Sequence, residues 1–170
     1  IGLVRAEGEI SSSAGGRGLL TAYEVTPERL LGDLRRAYED PFCAAVVLRI
    51  DSPGGSASAS EEIYKGIRAI RSEYPGKPLI VSMGDAAASG GYYIACAADT
   101  IFANAGTATG SIGVRSSFFF LYDIMEQYGV SAEEITSGRY KDSGSMFRKM
   151  RDDEREMFEG QIHTLYEEFV

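Results

Sequence analysis

Cysteine, histidine and long apolar segments are scarce in this sequence, and each shortage argues against a class of protein. Two cysteines in 170 residues cannot build a disulfide framework. Cys43 and Cys96 each lie in an apolar run, which predicts free, buried thiols. They do not indicate whether the protein works in an oxidising or a reducing compartment. No stretch approaches the roughly 18 to 20 apolar residues that cross a bilayer, so no transmembrane helix is predicted.

Basic residues are also in the minority. Seventeen lysines and arginines against 25 aspartates and glutamates give a net charge of −8, which repels phosphate backbones and predicts no nucleic-acid partner. A composition of 44% hydrophobic and 25% charged residues is typical of one globular domain, here residues 1–170. Because the chain begins at Ile1 and not at methionine, we expect a leader, membrane anchor or further domain outside it.

Strand-like and helix-like segments alternate along the chain. The predicted strands are residues 1–4, 44–50, 79–83, 101–103 and 135–136. The predicted helices are residues 26–41, 58–74, 86–98 (interrupted by glycines 90 and 91), 118–128 and 152–169, and glycine-rich loops are predicted at 11–18 and 106–113. This order predicts an α/β fold of right-handed βαβ units, with a largely parallel sheet flanked by helices.

Two glycine turns follow predicted strands, where ligands collect in open α/β folds. They are residues 51–55 (Asp-Ser-Pro-Gly-Gly) and 84–91 (Gly-Asp-Ala-Ala-Ala-Ser-Gly-Gly). Glycine lets backbone N–H groups approach a substrate oxygen closely, as an oxyanion hole requires, although a tight turn without chemistry is the alternative. Neither turn is a phosphate loop, because the Gly-Lys-Ser/Thr ending is missing.

Ser89 lies among small residues in the second turn. A substrate can therefore reach its hydroxyl, and the position suits a nucleophile. The single histidine, His163, lies in a helix far away in sequence, so a Ser-His-Asp triad is disfavoured and a structural histidine is predicted. The remaining candidate base is Lys141, in a small-residue loop, whose amine would need burial to lose its proton near neutral pH. From the residues alone, a solvated loop lysine remains an open alternative.

Four segments together resemble a known family. They are residues 50–55 (Ile-Asp-Ser-Pro-Gly-Gly), 88–95 (Ala-Ser-Gly-Gly-Tyr-Tyr-Ile-Ala), 109–114 (Thr-Gly-Ser-Ile-Gly-Val) and 137–142 (Ser-Gly-Arg-Tyr-Lys-Asp). In this order they resemble the A-type signal peptide peptidases, which are serine-lysine peptidases with the ClpP/crotonase-like fold. The resemblance covers nearly the whole chain.

The resemblance implies a role for each matched residue. Ser89 would be the nucleophile, Lys141 the general base and Ser111 the group that orients the lysine amine. The oxyanion hole would use the amides of Gly54 or Gly55 and of Gly90. No metal and no cofactor are implied.

The same resemblance implies the setting of the reaction. The family is membrane-anchored with its catalytic part outside the cytoplasm, degrades signal peptides left in the bilayer, and assembles into rings of subunits. Met83 and Tyr92 are candidate substrate contacts, each with a core role as its alternative. Phe118–Phe120 and the apolar stripe of residues 157–169 would pack either an interface between subunits or the core.

Two other functions fit the same sequence. A catalytically silent scaffold would hold apolar peptides without cutting them. An acyl-CoA enzyme of the same fold is a weaker alternative, because no basic cluster for the nucleotide is evident.

Overall fold

A computed structural model describes residues 1–12 and 24–170. Of the loop predicted at 11–18, residues 13–18 lie outside the described residues. In chain order the elements are β1 (Gly2–Glu7), β2 (Glu9–Ile10), β3 (Glu24–Val25), α1 (Pro27–Glu39), β4 (Val46–Ser52), α2 (Ala57–Glu73), β5 (Leu79–Ala88), α3 (Gly90–Ala95), β6 (Thr100–Phe102), β7 (Ala108–Gly110), α4 (Tyr122–Gln127) and α5 (Asp152–Phe169). They form two compact units, Ile1–Ile112 and Gly113–Val170. The single peptidase domain over residues 1–170 stays a prediction.

A parallel sheet organises the first unit. Its strands lie in the order β1-β4-β5-β6, and β7 pairs with the carboxyl end of β5. All of these pairs are parallel, with helices in the connections, and β2 and β3 form a separate parallel pair. The predicted α/β fold with a largely parallel sheet is therefore confirmed.

Apolar residues at helical and strand spacing build the core. Every second residue of β4 is fully buried, and the apolar stripes of α1 and α2 pack on the sheet. Helix α1 begins with Pro27 after Thr26, whose side chain makes no capping bond. Ser56 caps α2 by accepting a hydrogen bond from the Ala59 amide at 3.3 Å. The core residues are Val4, Ala6, Ile10, Val25, Leu30, Leu34, Tyr38, Val46, Leu48, Ile50, Ala59, Ile63, Ile67, Ile70, Leu79, Val81, Met83, Ala87, Ile94, Ala95 and Ala97.

An irregularity interrupts the register between β4 and β5. Ile50 pairs with Met83 but Ser52 pairs with Ala87, so two extra residues of β5 are inserted. The Asp51 carboxylate occupies the irregularity and accepts a hydrogen bond from the Ala86 amide at 3.0 Å. A Cβ on Gly84 would lie 2.7 Å from the carboxyl carbon of Asp51, so this approach requires glycine.

Three predictions about residues 86–113 are wrong. Residues 86–88 continue β5 because they pair with Ser52 and with β7, and tertiary pairing overrides the helix propensity of three alanines. The glycines at 90 and 91 begin α3 and do not interrupt it. A Cβ on Gly91 would lie 2.8 Å from the Ser52 carbonyl oxygen, so close packing requires glycine there. The predicted loop at 106–113 contains β7.

The second unit has little apolar core. Helix α4 covers only part of the predicted helix 118–128, and residues 135–136 form no strand, since Ile135 is 94% exposed and has no pairing partner. The Phe118 ring packs against Phe158 of α5 at a centroid distance of 4.6 Å. Glu154 is the only fully buried side chain of this unit. No helix among residues 1–12 and 24–170 is long and apolar enough to cross a membrane.

Candidate active site

Ser89 occupies a sharp turn between a strand and a helix. Strand β5 ends at Ala88 and α3 begins at Gly90, while Ser89 between them has φ 51° and ψ −124°. A non-glycine residue in this region is strained, and nucleophilic serines of α/β hydrolases occupy a turn of this kind. The Ser89 amide donates to the Gly110 carbonyl at 2.8 Å and its carbonyl accepts from the Tyr93 amide at 2.9 Å. Backbone bonds on both sides thus hold the strained conformation in place.

The first glycine turn lies directly beside Ser89. A Cβ on Gly54, whose φ is 100°, would lie 2.8 Å from the Gly90 amide nitrogen and 2.8 Å from the Ser89 Cβ. A side chain at position 54 would therefore fill the space next to the serine. Within the described part of the chain the Gly90 amide donates to no backbone or side-chain acceptor. The sequence placed these residues in two separate turns, and the structure brings them together.

Gly54 and Gly55 differ in what their amides contact. The Gly54 amide donates to the Ser52 hydroxyl at 3.2 Å. The Ile10 amide donates to the Gly54 carbonyl and the Ile10 carbonyl accepts from the Ser56 amide, both at 2.8 Å. Gly55 thus faces Ile10 in a parallel bridge, in which its own N–H is directed away from Ile10. A Cβ on Gly55 would lie 2.1 Å from the Ile10 carbonyl oxygen, and this close approach accounts for the second glycine.

Ser111 and Lys141 lie in different units. Ser111 is exposed, has φ 54° and directly follows Gly110, whose carbonyl holds the Ser89 amide. Lys141 lies in a series of turns in the second unit and is exposed. The burial that the sequence argument requires for a neutral lysine is therefore absent from the isolated chain.

The two candidate substrate contacts differ in exposure. Met83 is 2% exposed and belongs to the core, so its prediction as a substrate contact has no exposed surface to support it. Tyr92 is half-buried and packs against the core with one side only. Its role as a substrate contact stays a prediction.

The structure also locates the single histidine and the two cysteines. His163 is exposed on α5, with its Nε2 3.1 Å from a carboxylate oxygen of Glu167, and its structural role stays a prediction. Both thiols are free as predicted, but the prediction of burial is wrong because Cys43 is half-buried and Cys96 is exposed. Among residues 1–12 and 24–170 no cluster of three or more His, Cys, Asp or Glu side chains could hold a metal ion.

An ion cluster that the sequence did not predict binds the residues on both sides of Lys141. Arg148 donates to the Asp142 carboxylate at 2.8 Å and to that of Glu154 at 2.9 Å. Arg151 binds Glu154 at 2.6 Å. Hydrogen bonds from Arg148 hold the pKa of Glu154 at about 2, well below its usual range, and hold that of Asp142 low as well. No sequence signal marked Glu154, since it lies on the same helix as several exposed acidic residues.

Comparison with known proteins places the chain in a family. A family model described as Peptidase family S49 matches residues 59–170. The chain is 38% identical over 170 residues to "Serine protease SPPA, chloroplastic" of Arabidopsis thaliana, covering 99% of this chain and 24% of the relative. It is 38% identical over 137 residues to "Protease 4" of Haemophilus influenzae, covering 81% and 22%.

A third relative carries the name of the resemblance drawn from the motifs. The chain is 32% identical over 161 residues to "Putative signal peptide peptidase SppA" of Enterococcus faecium, covering 95% of this chain and 46% of the relative. The chain thus spans less than half the length of each of these three relatives. These matches confirm the family resemblance, and the chain belongs to peptidase family S49, a family of serine peptidases.

Proposed function

We propose that the chain is the catalytic part of an endopeptidase in which Ser89 is the nucleophile and Lys141 is the general base. The observation that carries the proposal is the strained strand-to-helix turn at Ser89, with φ 51°, beside the glycine turn at Gly54. Strain of this kind persists only where the surrounding structure imposes it, and it concentrates at functional sites. Family membership supports the reaction class.

The proposed reaction has two halves. The Lys141 amine takes the proton of the Ser89 hydroxyl as Oγ bonds to the peptide carbonyl carbon, and the carbonyl oxygen becomes an oxyanion. The C–N bond then breaks, the lysine ammonium protonates the departing amine, and an ester remains on Ser89. Water attacks the ester, the lysine takes a water proton, and the serine recovers its proton as the acid leaves.

The amides of Gly90 and Gly55 are the proposed donors to the oxyanion. The Gly90 amide has no acceptor within the described residues and lies next to Ser89. Gly55 is favoured over Gly54 because the Gly54 amide already donates to Ser52. A donor aimed at the oxyanion contributes most when it is held in place before the reaction begins.

Lys141 needs a drier environment than its exposed position provides. We infer that assembly with further copies of the chain, or with parts of the full-length protein, supplies the burial and the substrate groove. Ser111 would orient the amine, and Tyr92 would line the groove. Desolvation disfavours an ammonium and lowers its pKa, so the assembled form is the active one.

The proposed substrates are apolar, extended peptides such as signal-peptide remnants, and the proposed setting is a membrane anchored through a segment outside this chain. A relative named as a signal peptide peptidase supports the substrate class. An apolar peptide can bind by strand addition, with main-chain hydrogen bonds for affinity and shallow pockets for specificity.

The test is Ser89→Ala and Lys141→Ala in the full-length protein, assayed on an unstructured apolar peptide. Either change should abolish turnover and leave the circular dichroism spectrum unchanged, because both side chains lie outside the core. Lys149→Ala, which removes another exposed lysine of the same unit, is the matched control and should keep full activity. Turnover that survives either of the first two substitutions would rule out the dyad.

A silent scaffold remains the second candidate, and the exposed position of Lys141 is the observation that favours it. A small phosphonylating probe distinguishes the two functions. Labelling of Ser89 in the assembled protein, with a rate that rises as the lysine loses its proton, supports the peptidase. Peptide binding without any adduct supports the scaffold.

A further inference from the structure

Two arginines that directly precede α5 bind the loop that carries Lys141, one on each side of the lysine. Arg151 donates to the Arg139 carbonyl at 2.6 Å, two residues before the lysine. Arg148 donates to the Asp142 carboxylate at 2.8 Å and to the Asp142 carbonyl at 3.1 Å, one residue after it. Only Tyr140 and Lys141 lie between the two anchored residues. The position of the Lys141 backbone therefore depends on Arg148 and Arg151.

Glu154 holds both arginines. Its carboxylate binds Arg148 Nη1 at 2.9 Å and Arg151 Nη2 at 2.6 Å, and it accepts the Arg151 backbone amide at 3.0 Å. The Glu154 side chain is fully buried, whereas the side chains of Arg148 and Arg151 are 27% and 39% exposed. A charge-assisted bond between planar groups fixes orientation as well as distance.

The cluster is balanced in charge. Its members, including the Arg139–Asp153 pair at 2.8 Å, are Arg139, Asp142, Arg148, Arg151, Asp153 and Glu154, three cations and three anions. The same loop also contacts Glu134, whose carboxylate accepts from the Ser145 hydroxyl at 2.5 Å. These ion pairs hold the loop on both sides of Lys141.

We propose that Glu154 is a positioning residue, which through Arg148 and Arg151 holds the Lys141 loop in its reactive position. This inference rests on the proposed function, because it takes Lys141 as the general base. Glu154 itself touches neither substrate nor reacting atoms. A catalytic group misplaced by about 1 Å can lose on the order of a hundredfold in rate, so a distant clamp can have a large effect.

The test is the pH dependence of kcat and KM for Glu154→Gln and Arg148→Gln in the full-length protein. Both variants should lose about tenfold or more in kcat with KM within about twofold, because the loop loses a clamp and peptide binding is untouched. Glu154→Gln leaves an extra positive charge and should move the acid limb of the profile to lower pH by about half a unit. Arg148→Gln leaves an extra negative charge and should move it to higher pH.

Opposite shifts separate positioning from a merely structural role, which would lower activity in both variants and leave the limb in place. Glu159→Gln removes an exposed charge from the same helix and should behave as wild type. If Glu154→Gln fails to fold, the shift of the acid limb to higher pH in Arg148→Gln still separates the two roles. Arg148→Lys keeps the charge and loses the planar clamp, so it should lower kcat and show no such shift.

The outcomes keep this inference distinct from the proposed function. If Lys141→Ala is inactive while Glu154→Gln or Arg148→Lys keeps wild-type kcat and pH profile, the positioning role is wrong and the dyad stands. If Lys141→Ala keeps its activity, the dyad fails, and the positioning role fails with it.

Discussion

The two units of the chain are stabilised by different interactions. Every buried hydrophobic side chain of the described residues lies between Val4 and Ala97, in the first unit. The only fully buried side chain of the second unit is the carboxylate of Glu154, while Phe119 and Ile135 are 81% and 94% exposed. The first unit is thus held by apolar burial around a sheet, and the second chiefly by charged hydrogen bonds.

This difference matches the two halves of the proposed chemistry. The nucleophile and the proposed oxyanion donors require rigid backbone, which a packed parallel sheet supplies. The lysine requires a defined position and a low local polarity, and the second unit by itself provides only the position. In the proposed mechanism, one chain supplies the sheet-bound half of the site, and the lysine half depends on assembly.

Truncation of the core should give the largest difference between the units. Leu48→Ala in the fully buried core should lower the free energy of unfolding by about 2–5 kcal/mol, through lost burial and the cavity left behind. Phe119→Ala should change it by less than about 0.5 kcal/mol, because that ring is already in solvent. Urea titration followed by far-ultraviolet circular dichroism measures both. Equal losses would contradict the distinction between the two units.

Acid should loosen the second unit first. The pKa of Glu154 is about 2 in the folded chain against an ordinary value of 4.5, so its stabilising contribution is complete above about pH 4.5. That contribution is lost as the pH falls from there through 2, because the unfolded state then binds the proton more tightly. Hydrogen exchange of peptides from residues 138–154, corrected for intrinsic rates, should rise over this range.

The matched control for the acid experiment is Glu154→Gln. Its second unit should exchange faster at neutral pH and show less pH dependence, since the titrating group is gone. Core strands of the first unit, where no carboxylate is fully buried among the described residues, should stay protected throughout. Loss of protection in β4 before residues 138–154 would refute the expected order.

The smallest effect is expected from a surface ion pair of the first unit. Arg35 and Glu73 join α1 to α2 through two hydrogen bonds of 3.0 and 3.1 Å, but both side chains are about half exposed. Arg35→Gln should lower the melting temperature by at most a few degrees at low salt. In 1 M salt, where the Debye length is about 3 Å, the variant and the wild type should have the same melting temperature. A larger loss would mean that charge also governs the first unit.

Local pattern was sufficient where one face of an element is buried. The helices observed as Pro27–Glu39 and Ala57–Glu73 lie within two residues of the predicted ends, because an apolar stripe runs along each and proline begins the first. The turn around Gly54 was also found, since glycine directly follows a predicted strand. The second turn was predicted over residues 84–91 but is confined to Ser89, because β5 continues to Ala88 and α3 begins at Gly90. These features depend on neighbours close in sequence.

Pattern failed where distant partners decide. Residues 86–88 read as helix because alanine favours it, yet they are strand because Ser52 and β7 pair with them. The second unit was predicted to contain a strand at 135–136 that has no partner to pair with. Glu154 could not be distinguished from the exposed acids of its own helix. In each case the missing information is which residues pair or pack together in the folded chain, and the local pattern of the sequence does not contain it.

The sequence by itself determined the α/β class, the family and the residues that carry the proposed chemistry, because hydrophobic period and short motifs are local properties of the chain. Only the tertiary structure decided that Gly54 and Gly90 meet beside Ser89, and that the buried carboxylate of Glu154 binds Arg148 and Arg151. Close approach and burial are properties of packed surfaces, and such surfaces exist only after segments far apart in the chain have come together.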